Sequence, residues 1–166
     1  MAQEGSDAWL HTSYGFVHDT AHALLVPMPQ QSAVEVDFLI DYDAQFDQAG
    51  AWLHVSSTHW VKAGVEVADG VAQVGAVVTE GRSDWSVAPV ADWVGRLVTV
   101  RLSRSGDAVT VRARAAGEPF RLVRVLPLQP ELEVSAGPYC ASPTRAGLTV
   151  RFTAWRTGPA DAALHD

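Results

Sequence analysis

The chain has 166 residues, of which 48% are hydrophobic and 19% charged, enough for one filled core and short for two. Twelve Lys and Arg against nineteen Asp and Glu leave a formal charge of −7, which argues against partners held by phosphate neutralisation, nucleic acid and anionic membrane surfaces alike. A single cysteine, Cys140, permits neither an internal disulfide nor a thiolate zinc site and suits a reducing compartment.

The first residues, Met1 to Asp7, lack the basic start and apolar stretch of a secretory signal, and no apolar run approaches the roughly 18 residues of a membrane span. The expectation is a cytoplasmic protein. From there the chain alternates with period two and is rich in Val, Trp, Phe and Thr, with no helical stripe. Strands are predicted near residues 14–18, 22–26, 34–40, 48–56, 59–67, 71–79, 84–87, 96–104, 107–115, 120–126, 132–140 and 147–155. In the third of these Val34, Val36, Phe38 and Ile40 alternate with Glu35, Asp37, Leu39 and Asp41, one apolar face against a mostly acidic one. Asp69-Gly70 marks a tight turn, and a two-residue turn at Ser105-Gly106 predicts the pairs Leu102/Val109, Val100/Val111 and Val98/Ala113. Short strands without crossover helices predict an all-β chain, two antiparallel sheets packed face to face as a jelly-roll-like sandwich. One domain is expected over residues 1–157, followed by a tail at 158–166 where the alternation stops.

Chemistry concentrates on two neighbouring strands. In 59–67, Val61, Ala63, Val65 and Val67 make one face, and Trp60, Lys62, Gly64 and Glu66 the other. In 48–56, Gln48, Gly50, Trp52 and His54 share parity against Ala49, Ala51, Leu53 and Val55. The short Ser56-Ser57-Thr58 connection makes these strands hairpin neighbours, so Gln48, Trp52, His54, Trp60, Lys62 and Glu66 are candidates to line one patch. Asp84 and Trp85, in Ser83-Asp84-Trp85-Ser86, are candidates for its rim. Aromatic faces with a few converging polar groups suit a ligand groove, and sugars suit it well, because their C–H faces stack on indole while their hydroxyls take up carboxylate, amide and ammonium groups. The competing reading is a Lys62–Glu66 ion pair under a loop, with the tryptophans as packing.

Asp47-Gln48-Ala49-Gly50, Trp60-Val61-Lys62-Ala63-Gly64-Val65-Glu66, Asp69-Gly70, Val77-Val78-Thr79, Ser83-Asp84-Trp85-Ser86 and Cys140-Ala141-Ser142-Pro143 stand in an order that resembles the bacterial and fungal family described as regulation of enolase protein one. The resemblance extends to Asp7-Ala8-Trp9, Tyr14-Gly15 and His22, and to residues 147–152, and so covers nearly the whole chain. It departs at Ala51 and Trp52, where the family usually has aliphatic residues, and near His54, where an Arg is common. The resemblance implies a concanavalin A-like jelly-roll sandwich with a sugar-binding concave face, and no reaction.

Sandwich glucanases of that superfamily carry two catalytic carboxylates on one strand face, close together for a retaining mechanism. Glu35 and Asp37 have the spacing, but Leu39 breaks the pattern, and a solvated acidic face is the simpler reading. Glu66 with Asp84 is the remaining candidate acid and base pair. Asp41, Asp43 and Asp47 crowd one loop without matching the EF-hand spacing, and the histidines show no ligand spacing, so neither metal nor cofactor is expected. Three readings stand: a module that binds a small carbohydrate or polyol without turning it over, which leads; an enzyme on a sugar or sugar acid, using Glu66, Asp84 and Lys62; and a regulatory module with a protein partner, a metabolic enzyme.

Overall fold

A computed structural model describes residues 1–165. Its strands are β1 (Ala8–Leu10), β2 (Val17–Asp19), β3 (His22–Ala23), β4 (Val26–Pro27), β5 (Ser32–Leu39), β6 (Gln48–Ser56), β7 (His59–Ala68), β8 (Val71–Glu80), β9 (Ser83–Pro89), β10 (Leu97–Ser105), β11 (Ala108–Ala115), β12 (Arg121–Pro127), β13 (Ser135–Ala141) and β14 (Phe152–Pro159). A 3-10 turn at Ala91–Trp93 links β9 to β10. One sheet has five strands in the order β12-β11-β10-β5-β14. The other has seven, β3-β13-β6-β7-β8-β9 with β4 also on β13, and β1 and β2 form a separate ribbon. All the strand pairs are antiparallel.

The alternation decides which face meets which. Val34, Val36 and Phe38 of β5 join Val98, Val100 and Leu102 of β10 and Val109, Val111 and Ala113 of β11; Ala49, Ala51 and Leu53 of β6 and Val61, Ala63 and Val65 of β7 oppose them in one core. This is the predicted sandwich, two sheets sharing their apolar faces.

Several sequence expectations shift. The β10–β11 hairpin turns at Gly106-Asp107, because Ser105 pairs with Ala108; Leu102 therefore faces Val111, Val100 faces Ala113 and Val98 faces Ala115. The offset is two residues along β11, which preserves the period-two face and is why alternation alone does not detect it. Gly106, at φ 59°, supplies the left-handed residue the turn requires. Asp69 and Gly70 lie at φ 54° and 76° between the paired Ala68 and Val71, the expected two-residue turn.

The acidic face of β5 is not free in solvent. Glu35 accepts from Arg101 at 2.8 Å, and Asp37 accepts from Arg156 at 2.8 Å. Burial pushes the Asp37 carboxyl up, but hydrogen bonds from Arg156 and Thr99 outweigh it and hold the carboxyl below the usual range. The last strand begins at Phe152 rather than near 147, since Leu148 and Val150 are buried in the core without a ladder. The change of character expected at 158 falls inside β14. Beyond it, Asp161 accepts from Arg101 at 2.7 Å and from Arg112 at 3.0 Å, which ties the segment to the five-stranded sheet.

Candidate functional site

The outer face of the seven-stranded sheet carries the polar parity of β6 and β7 in register. Gln48 faces Glu66, Gly50 faces Gly64, Trp52 faces Lys62 and His54 faces Trp60. The rows continue across β8, where Glu66 meets Gln73, Gly64 meets Gly75 and Lys62 meets Val77, and Val77 then meets Trp85 on β9. Gly50, Gly64 and Gly75 thus form one row without side chains. A Cβ at Gly50 would lie 2.0 Å from the Ala63 carbonyl oxygen, and one at Gly64 would lie 2.1 Å from that of Ala49. These glycines are required by the close approach of the strand backbones, and the trough between the Lys62 row and the Glu66 row is a by-product of that packing.

The β1–β2 ribbon lies over part of this face. Ala8, Trp9 and Leu10 pack on Trp52, Trp60, Val77 and Tyr139 as a second, smaller core. Leu10 N–H donates to Ser83 Oγ at 2.9 Å, which anchors the ribbon at the start of β9. Residues 11–16 then turn sharply, with His11 and Ser13 at φ 62° and Gly15 at 72°. They carry Tyr14 and Phe16 back beside Trp9.

Between ribbon and sheet lies a cavity of about 190 Å³ lined by Asp7, Trp9, Tyr14, Phe16, Phe46, Lys62, Glu66, Val77 and Trp85. Trp9 stands at 68° to Tyr14 and 89° to Trp85, with ring centroids 5.8 and 6.4 Å away. Tyr14 stacks on Phe16 at 5.2 Å. The floor is polar. Lys62 Nζ donates to Asp7 Oδ1 at 3.0 Å and to Gln48 Oε1 at 2.8 Å. Asp7 Oδ1 also accepts from Ala8 N–H at 2.7 Å, and Gln48 Nε2 donates to the Phe46 carbonyl at 3.1 Å. Lys62 is 4% exposed, so its charge depends on these two partners. Glu66 has neither a hydrogen bond nor an ion pair among the described residues. Burial pushes its carboxyl from the ordinary 4.5 up to about 7, with Lys62 pulling down and Asp7 pushing up.

Of the residues expected at the site, Lys62, Glu66 and Trp85 line the cavity, and Gln48 holds Lys62 from behind. The others are placed elsewhere. Trp52 and Trp60 stack on each other at 4.8 Å and lie buried beneath the ribbon, as packing and not as open platforms. His54, half-buried, borders a separate open cleft beside Met28, Arg104 and Leu132. Asp84 points to the opposite face of β9 from Trp85 and pairs with Arg124 at 3.0 Å, so it forms no acid and base pair with Glu66. The Lys62–Glu66 ion pair of the competing reading does not form; Lys62 pairs with Asp7. Sequence reasoning passed over Asp7, Trp9, Tyr14, Phe16 and Phe46; the first three were visible only as motif positions of the resemblance.

The loop acids of 41–47 do not converge. Asp47 is buried, accepting from Ser142 Oγ at 3.1 Å and from Arg145 Nε at 2.8 Å. No group of three or more His, Cys, Asp and Glu that could hold a metal ion occurs among the described residues. Cys140 is buried, and burial pushes its thiol up, away from nucleophilic character. No helix among the described residues is long and apolar enough to cross a membrane.

Residues 1–160 match the model of a family described as "Protein of unknown function (DUF1349)". A Saccharomyces cerevisiae protein named "Regulation of enolase protein 1" is 34% identical over 98% of this chain and 82% of its own length. The crystal structure of a functionally unknown protein from Saccharomyces cerevisiae superposes with a TM-score of 0.87 at 31% identity, covering 94% of this chain and 84% of that one. A xylan β-1,4-xylosidase from Bacillus halodurans superposes with a TM-score of 0.69 at 14% identity, over 90% of this chain but 31% of the enzyme, a likeness of fold alone.

Proposed function

Given that the chain belongs to the DUF1349 family of unknown function, we propose that it is a binding module, one sandwich domain, that holds a small carbohydrate or related polyol in the cavity under the β1–β2 ribbon and does not turn it over. The observation that carries this reading is the make-up of that cavity: aromatic walls from Trp9, Tyr14, Phe16 and Trp85 over a floor that offers Lys62 and Glu66. Indole and phenol faces receive the C–H face of a sugar ring, while a carboxylate and an ammonium receive its hydroxyls. At about 190 Å³ the space is below the roughly 300 Å³ at which drug-sized pockets begin, so it suits a monosaccharide rather than a chain. Catalysis by paired carboxylates is disfavoured, because Asp84 faces away and Asp7 is engaged with Lys62.

A thermal-shift screen of monosaccharides and polyols tests the reading. A ligand at 100 times its dissociation constant stabilises by about 2.7 kcal/mol, and the shift should vanish in a Tyr14→Ala, Trp85→Ala double variant. Absence of any shift across neutral, amino and acidic monosaccharides would count against it. A second reading, a regulatory module that contacts a metabolic enzyme, is favoured by the name of the yeast relative. Under it, a purified enolase should co-elute with the chain whether or not a sugar is present.

A further inference from the structure

The charges around the cavity do not balance, and the imbalance has a sign. Asp7 and Lys62 neutralise each other across 3.0 Å, and Gln48 occupies a second Lys62 donor. Glu66 remains, a carboxylate that lines the same cavity without a cation of its own among the described residues. The groups that face it are Lys62 on its own strand, Asp7 from the segment before β1, Gln48 on β6, Gln73 on β8 and Tyr139 on β13. Of these only Lys62 is positive, and it is already paired.

The walls reinforce that sign. Aromatic rings line the cavity beside Glu66, and such rings bind cations as well as C–H surfaces. Trp9 stands at 68° to Tyr14 and 89° to Trp85, and all three line the cavity. An anionic ligand such as a sugar acid would meet Asp7 and Glu66, and Lys62, the cation among the lining residues, is already paired. A neutral sugar would find stacking but leave Glu66 uncompensated. A ligand with an ammonium group answers both features.

We propose that the cavity selects an amino sugar, its ammonium paired with the Glu66 carboxylate and its ring set against Trp9, Tyr14 and Trp85. The inference rests on the carbohydrate reading and narrows it to the cationic class. Burial pushes Glu66 up to about 7 although the Lys62 charge pulls it down; an entering ammonium returns it further towards its usual range, so binding at pH 7 expels part of a proton.

Isothermal titration calorimetry at pH 7 with glucosamine, galactosamine and mannosamine, each beside its neutral parent, and with glucuronate tests this directly. The best amino sugar should bind at least tenfold tighter than its parent, glucuronate should be weakest, and paired buffers of different ionisation enthalpy should reveal proton release. In Glu66→Gln, whose fold is checked by near-ultraviolet circular dichroism, the ratio of amino to neutral sugar should fall close to one. Equal binding of amino and neutral sugars, tighter binding of glucuronate, or a ratio that survives Glu66→Gln overturns the cationic selection while leaving the carbohydrate reading in place. If no sugar of any charge binds, the carbohydrate reading fails and this inference fails with it.

Discussion

Glu66 makes a carboxyl costly to ionise inside an otherwise satisfied site, and that cost is measurable without any ligand. Its native value of about 7 stands above the ordinary 4.5 of the unfolded chain. Between those values the native state holds a proton that the unfolded state has lost. Stability therefore falls as pH rises from about 4.5 to 7 and levels off above. Glu66→Gln, which never ionises, should match the parent at pH 4 and exceed it at pH 8 by about 2–3 kcal/mol, allowing for partial exposure. Urea midpoints at the two pH values check this; a variant less stable than the parent at pH 8 would count against an unpartnered Glu66. Lys62 is 4% exposed and its carboxylate partner is Asp7. Asp7→Asn should cost about 2–3 kcal/mol by stranding the ammonium, Lys62→Met about 1 kcal/mol or less, and the double variant no more than Lys62→Met. The strand parity of Gln48, Lys62 and Glu66 was legible in the sequence, since period two assigns faces. The partner of Lys62 was not, because Asp7 arrives from 55 residues away and no local pattern announces it.

At the scale of elements, the Asp69-Gly70 hairpin was legible, the β10–β11 turn falls one residue later than expected, and the ribbon was not foreseen. β1 is only Ala8, Trp9 and Leu10, all buried, so it has no polar alternation to betray it. Its docking is what places Trp9 in the cavity and removes Trp52 and Trp60 from it. The glycine row carries the complementary lesson. Gly50 and Gly64 share the parity of the candidate site residues in the sequence, and a Cβ at either strikes backbone within 2.1 Å. Gly64→Ala should destabilise by at least about 2 kcal/mol, measured by chemical denaturation, and should do so whether or not a ligand is present. A neutral outcome would mean that the strands can separate and that the trough is adaptable.

For the whole molecule, alternation sufficed to specify two antiparallel sheets with a shared apolar interior. It did not specify that β5 pairs with both β10 and β14, because edge and centre positions depend on contacts distant in sequence. Far-ultraviolet circular dichroism should report a β-dominated chain, and a helix content above about 25% would contradict the sandwich. The outer face of the five-stranded sheet is knitted by arginines: Arg156 joins Glu35 and Asp37, while Asp161 joins Arg101 and Arg112. The acidic strand that resembled a glucanase active face in spacing is thereby committed to structure. The ribbon-covered face of the other sheet carries Glu66, which has no ion pair among the described residues.

The stacked indoles of Trp52 and Trp60 have an optical consequence. With centroids 4.8 Å apart and planes inclined by 25°, their strongest ultraviolet transitions are near enough to couple, and coupled chromophores in a chiral setting produce a paired positive and negative band. That couplet should overlie the β-sheet spectrum and disappear in Trp60→Phe with the sheet bands unchanged. Because the pair is roofed by Ala8, Trp9 and Leu10, the couplet is a built-in gauge of whether the ribbon is seated. Recorded against temperature, it should separate lifting of the ribbon from melting of the sandwich, and a single coincident transition would show that the two cores form one cooperative unit.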